Sequence, residues 1–286
     1  MAKRTGTMNN LTFLAFCLAF ACYALAFFLL WRRQTLRAQD VLDADEITDA
    51  TSAGPALMIA LLGLVGHCVV TQNTLIQTGS NSTLTLSLLG VSNLVVGVML
   101  LVVAISSIKV KADSLLLLLL PLVMLNLLGL VAVPAGQTQP IQLDGGQISH
   151  ILLSISAYAA LMTAALQSIL IAVQERRLRS LQSGLFGLLP PMEAMEALFI
   201  AILWLGLGLL TLSIATGTLF LQDMFDQRLV HHTVLTSLSW LVYAGFLAGH
   251  HLFGWRGVIA VRWNLAAFAL LLLGYLGSKF VIEYLL

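Results

Sequence analysis

Eight long apolar blocks dominate the chain and limit the kind of fold that it can adopt. Each block holds the roughly 20 predominantly apolar residues that a helix needs to cross a bilayer. The blocks lie near residues 10–31, 54–73, 83–106, 114–133, 148–173, 195–217, 232–252 and 263–285. A membrane β-barrel would instead show segments of about ten residues with alternating hydrophobicity. The sequence therefore predicts an all-α, polytopic integral membrane protein with about eight transmembrane helices.

The composition excludes the ordinary soluble classes of protein. Hydrophobic residues make up 59% of the chain and charged residues only 9%, whereas a typical soluble domain carries about 25% charged residues. The charges lie in short clusters between the blocks and form no basic face, which argues against a nucleic-acid partner. Because the connections are short, we expect residues 1–286 to form a single transmembrane domain. The chain contains no common hydrolase, metalloprotease or nucleotide-binding motif, so we predict no enzymatic activity.

The distribution of basic residues predicts the orientation of the chain. The loops after the first, third, fifth and seventh blocks hold three, two, three and two Lys or Arg residues, ten in all. The opposite side holds four, which are Lys3, Arg4, Arg228 and Lys279. Since cytoplasmic loops are enriched in Lys and Arg, we expect the side with ten cations to face the cytoplasm and both termini to lie outside.

Small and polar residues inside the blocks predict how the helices pack. Four glycines would allow neighbouring helices to approach closely: Gly63, Gly66, Gly206 and Gly208. Asn93 and Asn126 lie inside the third and fourth blocks, where we expect hydrogen bonds between helices. Three cysteines lie in apolar blocks without CxxC spacing, so we expect buried, unreactive thiols: Cys17, Cys22 and Cys68.

The six histidines are the residues that indicate chemistry. All lie within blocks or at the ends of blocks: His67, His150, His231, His232, His250 and His251. Ionisable side chains at membrane depth are costly and usually functional, and imidazole is the usual protein ligand of haem iron. The alternative for the deep His67, and likewise for His150, is a hydrogen-bonded packing residue. For His231, His232 and His251 the alternative is a place in the lipid headgroup region.

Depth in the membrane decides which histidines can share a ligand. With a rise of 1.5 Å per residue, His67 lies roughly 20 Å from the inner start of its helix, near the level of His150 and His232. His250 lies roughly 25 Å below the outer end of the seventh block. One haem does not easily bridge His67 and His250 over that separation. We therefore expect an outer site built from His67, His150 and the pair at 231–232.

Three segments together resemble a known family. Residues 150–173 read HILLSISAYAALMTAALQSILIAV, a helix that opens on histidine and continues with Tyr-Ala. Residues 239–257 read SWLVYAGFLAGHHLFGWRG, a Trp-Leu-Tyr-Ala helix that ends in Gly-Trp-Arg-Gly, and the chain closes on LGYLGSKFV at 273–281. These features resemble the cytochrome c assembly family of the CcsA, CcmC and HemX type. Eight spans with Gly-His-Cys in the second resemble its YpjD-like inner membrane branch most.

The resemblance implies a haem-binding protein of cytochrome c biogenesis at the outer face of a bacterial inner membrane. In that family a histidine before the haem-handling loop is an external haem ligand, and His150 matches it. His67 and His250 match membrane histidines of the family, and His231 or His232 would supply a second axial ligand. The implied partners are haem, the lipid bilayer and other proteins of cytochrome c maturation or tetrapyrrole synthesis.

Two alternative functions remain open at the level of the sequence. The first is a HemX-like membrane regulator or scaffold of tetrapyrrole synthesis that does not transfer haem. The second is a small-solute transporter, which would call for broken helices or charged residues near the midplane of the membrane. Haem absorbance in the purified protein would distinguish haem-binding functions from the transporter.

Overall fold

The computed structural model describes residues 10–42, 54–77, 83–84, 86–108, 112–133, 144–180, 189–220 and 230–277. Eight helices follow one another in these ranges: α1 (Asn10–Leu42), α2 (Gly54–Leu75), α3 (Leu88–Ser106), α4 (Asp113–Ala132), α5 (Gly145–Ser180), α6 (Met192–Phe220), α7 (Val230–Phe253) and α8 (Gly257–Leu272). A π-helical turn, Leu273–Gly277, continues α8. Between α2 and α3, strand β1 (Ile76–Gln77) pairs antiparallel with β2 (Thr83–Leu84). The predicted all-α fold is confirmed, with this short hairpin as an addition.

Seven of these helices, all except α7, are long and apolar enough to cross a membrane. Helix α7 has 24 residues, about 36 Å at 1.5 Å per residue, which is sufficient in length. Its polar residues lower its mean hydropathy, but Thr236, Ser239 and Tyr243 are each 9% exposed or less. Because polar side chains that face the interior of a bundle are compatible with a membrane span, α7 fits as the eighth span.

Helices α1–α4 form one group in which consecutive helices run antiparallel. A Cβ on Gly63 of α2 would lie 2.9 Å from the Tyr23 ring of α1, and one on Gly66 would lie 3.3 Å from Ala19. Later residues of α2 therefore meet earlier residues of α1. At the other end of α1, Arg33 forms an ion pair with Asp113 of α4, with 2.9 Å between Nη1 and Oδ2.

Helices α5–α8 form a second group with the same alternation. A Cβ on Gly206 of α6 would lie 2.6 Å from Leu161 of α5, which confirms close approach at this glycine as at Gly63 and Gly66. The expectation for Gly208 is wrong, because nothing lies within 4 Å of the place of its Cβ. It sits two residues further along α6 and so on a different face of the helix. Contacts between α3 and α5 join the two groups.

Hydrogen bonds between helices occur at both predicted asparagines. Asn93 Nδ2 of α3 donates to Thr71 Oγ1 of α2 at 2.6 Å. Asn126 Nδ2 of α4 donates to Ser92 Oγ of α3 at 2.7 Å. These bonds hold the first group together where apolar side chains have no preference between lipid and protein.

The cysteines differ from the prediction in their exposure. All three thiols are free, but Cys17 and Cys68 are exposed on the surface of their helices and Cys22 is half-buried. Burial was therefore wrongly predicted for Cys17 and Cys68. The reason is that a span that is apolar on every side carries no signal that distinguishes its lipid-facing surface from its protein-facing surface.

Candidate functional site

At one end of the second group, the start of α5 lies against the last turns of α6, and the start of α7 lies against the π-helical turn. His150 lies on the second turn of α5 and is half-buried. Its Nδ1 donates a hydrogen bond to the backbone carbonyl of Ser213 on α6, at 2.9 Å. A carbonyl oxygen only accepts hydrogen bonds, so the proton resides on Nδ1 and the lone pair on Nε2. This arrangement is the one that metal-binding histidines use to fix their tautomer and ring orientation.

Ser154 completes the support of His150 from one turn further along α5. Its hydroxyl donates to the His150 carbonyl at 2.7 Å, and its Oγ lies 2.7 Å from Ser213 Oγ. The His150 Nε2 lies 3.4 Å from the same Oγ. Because the Ser154 hydroxyl donates its proton to the backbone, it does not also donate to Nε2.

His232, near the start of α7, lies at the same end of the bundle as His150, because Tyr275 contacts both the His232 ring and Tyr158 of α5. The His232 ring meets the Tyr275 ring edge-on, with 6.5 Å between centroids. We call His150 and His232 the outer histidine pair, because the basic-residue count predicts that this end of the bundle faces outward. The side chain of His231 lies outside the described residues.

Two tyrosine side chains pack against each other next to the outer histidine pair. The Tyr158 and Tyr275 rings are tilted against each other with centroids 5.2 Å apart, and the Tyr158 hydroxyl donates to the carbonyl of Leu271. Sequence reasoning missed Ser154 and Tyr158 as members of the site. Both follow His150 at helical spacing, four and eight residues later, so periodicity on one helix face could have identified them.

His67 lies in a separate cluster, between α1, α2 and α3. It is 1% exposed, its Nε2 donates to the Asn93 carbonyl at 2.9 Å, and its ring meets Tyr23 edge-on at 6.0 Å between centroids. A Cβ on Gly97 would lie 3.4 Å from its Nε2, so α3 packs directly against the ring. Among the described residues, no contact joins His67 to another histidine, and it lies apart from His150 and His232.

His250 lies at the opposite end of the second group, which the charge count predicts to be cytoplasmic. Its Nδ1 donates to the Trp255 carbonyl at 2.8 Å. It lines a small cleft together with Glu196 and Arg256. His251 is exposed and its ring lies 5.8 Å from that of Trp204. Neither residue approaches the outer histidine pair.

The described residues include no group of three or more His, Cys, Asp or Glu side chains that could hold a bare metal ion. The outer histidine pair alone offers two imidazole nitrogens. Two imidazoles are enough for a cofactor that already supplies the other ligands of its metal. Haem is such a cofactor, because its iron takes only axial ligands from the protein.

The chain is similar to a known protein family and to several bacterial proteins. A family model described as "Cytochrome C assembly protein" matches residues 56–286. Inner membrane protein YpjD of Escherichia coli strain K12 is 30% identical over 226 residues, which cover 79% of this chain and 86% of that protein. A protein of Azospirillum brasilense, described as an uncharacterized 28.8 kDa protein in the nifR3-like 5' region, is 36% identical over 140 residues, 48% of this chain and 52% of that one. No solved structure matches the chain.

Proposed function

The chain belongs to the cytochrome c assembly protein family, and from that premise we propose that it binds haem at the outer histidine pair. We further propose that it acts in cytochrome c biogenesis in a bacterial inner membrane. The observation that carries the proposal is the hydrogen bond from His150 Nδ1 to the Ser213 carbonyl. It orients the imidazole and leaves Nε2 as a ligand atom, as in known histidine–metal sites.

The residues at this end of the bundle fit haem in their chemistry. Two imidazoles lie at the same end of the bundle, and haem iron takes two axial ligands from the protein. Both side chains are half-buried, so an iron atom could be reached at the membrane surface while polar groups of the cofactor stay hydrated. The aromatic rings of Tyr158 and Tyr275 provide an apolar surface beneath the pair.

Each residue of the site has a role that follows from its contacts. The Ser213 carbonyl holds the proton on His150 Nδ1, and Ser154 holds the start of α5 against α6 through its contact with Ser213 Oγ. Tyr275 positions the ring of His232. Bound haem would supply a redox-active iron, and the protein would hold it without any catalytic group of its own.

A deletion and complementation experiment tests the role in cytochrome c biogenesis. We expect cells that lack this protein to contain less covalently bound haem in their c-type cytochromes, as measured by haem staining of denaturing gels. The wild-type gene should restore the signal, and the His150→Ala variant should not. Normal c-type cytochromes in the deletion strain would contradict the proposed role.

The same strains separate the alternatives. A HemX-like regulator of tetrapyrrole synthesis predicts altered levels of haem precursors, with cytochrome c loss only as a consequence of lower total haem. Total haem measured beside bound haem distinguishes this case. The transporter alternative has less support, since α4 runs from Asp113 to Ala132 without a break at Pro121 and a transporter would call for discontinuous helices.

A further inference from the structure

The two groups of helices are built on the same plan. In each group the first helix contacts the second and the fourth, and the third helix also contacts the second and the fourth. Eleven residues separate α1 from α2, and eleven separate α5 from α6. The C-terminal part of the first helix meets the start of the fourth in both groups. Arg33 pairs with Asp113, and a Cβ on Gly257 would lie 3.2 Å from the Glu175 carboxylate. Helices α5–α8 therefore repeat the arrangement of α1–α4.

Equivalent helices of the two groups run in the same direction. Consecutive helices alternate across the membrane, and each group contains four of them. The first helices of the two groups, α1 and α5, therefore run parallel to the third helices, α3 and α7. Repeats related in this parallel way occur in other membrane proteins. Because the directions match, the contact that joins the two groups within the chain can also form, with equivalent helices, between two copies of the chain.

The contact that joins the two groups covers a face of α5 that its equivalent, α1, leaves open. Helix α5 packs against α3 and α4 of the first group, and its apolar stretch is 72% buried. Ala159 and Leu170 are buried, although they lie on the side of α5 opposite to Ser168, which bonds to α8. The apolar stretch of α1 is only 28% buried, and Leu18 and Leu25 on its outer side are about half exposed.

Helices α7 and α8 form the counterpart of the groove between α3 and α4 that holds α5. In the described part of the chain, α1 makes no comparable contact with α7 or α8. A Cβ on Gly245 of α7 would lie 4.0 Å from the Trp263 ring of α8, so Gly245 borders this α7–α8 groove. Leu238 lies two turns earlier on the same face of α7 and is 44% exposed. Ala266 on the facing helix α8 is exposed as well.

We propose that the protein associates with further copies of itself, with α1 of one copy in the α7–α8 groove of the next. This contact repeats between chains the one that α5 makes with α3 and α4 within a chain. Leu18 and Leu238 each lie eight residues after the start of their helix, about 12 Å along the axis, so they meet at the same depth. Because two different faces meet, assembly proceeds head to tail and gives a ring or an open chain. The contact does not involve the outer histidine pair and does not depend on haem.

Cysteine cross-linking of the full-length protein in native membranes tests this contact. The three native cysteines are first replaced by serine, and Leu18→Cys and Leu238→Cys are placed in chains that carry different tags. We expect oxidation to join these two chains several-fold more than it joins Leu18→Cys to Leu125→Cys. Leu125 is the matched control, because it is 67% exposed and lies seven residues from the end of α4, at a similar depth. Equal yields with the two partners, or no cross-linked product, would overturn the proposal.

A pair of tryptophan variants tests whether the α7–α8 groove is the surface that binds α1. Ala266→Trp in the Leu238→Cys chain places a large ring in the groove and should lower the cross-linking yield several-fold. Ala201→Trp, at an exposed position of α6 outside the groove, should leave the yield unchanged. Thermal unfolding in detergent shows that both variants are folded. An unchanged yield in the folded Ala266→Trp variant would contradict the groove as the binding surface, and an equal loss in both variants would do the same.

Discussion

His150 differs from His251 in what surrounds its ring, and this difference gives the first prediction. The Ser213 carbonyl holds His150 at 2.9 Å, whereas His251 is exposed beside Trp204. We expect His150→Ala to weaken haem affinity by about tenfold or more, because even residues that only support a metal ligand contribute tenfold or more. His251→Ala should leave affinity unchanged. Haem per protein at equal expression measures both.

The reverse effects of the two variants would contradict haem binding at the outer histidine pair. If His251→Ala loses haem and His150→Ala keeps it, the outer histidine pair is not the haem site. The opposite end of the bundle, with His250 and its cleft, would then be the place to examine.

A second residue-scale prediction concerns the buried cluster around His67. Asn93→Ala removes the donor to Thr71 Oγ1 and should lower the free energy of unfolding by about 1 kcal/mol. Asn73→Ala is the matched control, because Asn73 is exposed and bonds only to the Val69 carbonyl in its own helix. Unfolding in mixed micelles measures both variants. Equal effects would show that the buried hydrogen bond contributes nothing specific.

At the scale of single residues, the sequence identified the polar side chains inside the spans but not the groups to which they bond. The histidines and asparagines stand out against apolar blocks, since each is costly in a membrane. The partners of His150 and His67 are backbone carbonyls, of Ser213 and Asn93. Every residue has such a carbonyl, so no sequence signal marks these two. Whether His67 lies near His150 depends on how the helices pack. The spacing of residues along the sequence does not determine that packing.

The contact between α5 and α6 gives a prediction at the scale of elements. A Cβ on Gly206 would lie 2.6 Å from Leu161 Cδ2, so Gly206→Ala should separate the two helices and cost about 1–3 kcal/mol. Gly208→Ala meets open space and should leave stability unchanged or raise it, because alanine favours helix. Thermal unfolding in detergent distinguishes them. A Gly208→Ala variant as unstable as Gly206→Ala would contradict this packing.

Two helices extend further than the apolar blocks from which they were predicted. The block at 10–31 predicted the membrane part of α1, but the helix continues to Leu42. The block at 148–173 likewise became α5, Gly145–Ser180. The added turns consist of polar residues that are still helical. A fall in hydropathy therefore marks the end of the apolar span but not the end of the helix. Hydropathy therefore located the spans and not the helix ends.

The orientation of the whole molecule is open to a direct test. Reporter fusions after residues 40 and 180 should report the cytoplasm, because ten of the fourteen Lys and Arg residues lie on that side and cytoplasmic loops carry this excess. A fusion within 134–143 should report the outer compartment. If the fusions after 40 and 180 report the outer compartment, the outer histidine pair faces the cytoplasm instead.

The absorption spectrum of the purified protein shows whether it binds haem between two histidines. Protein prepared from haem-replete cells should carry haem with a six-coordinate, bis-histidine spectrum, because the outer histidine pair offers two imidazoles to one iron. The His232→Ala variant should shift that spectrum toward five-coordinate haem. A colourless preparation that takes up no added hemin would contradict haem binding, and with it the proposed function.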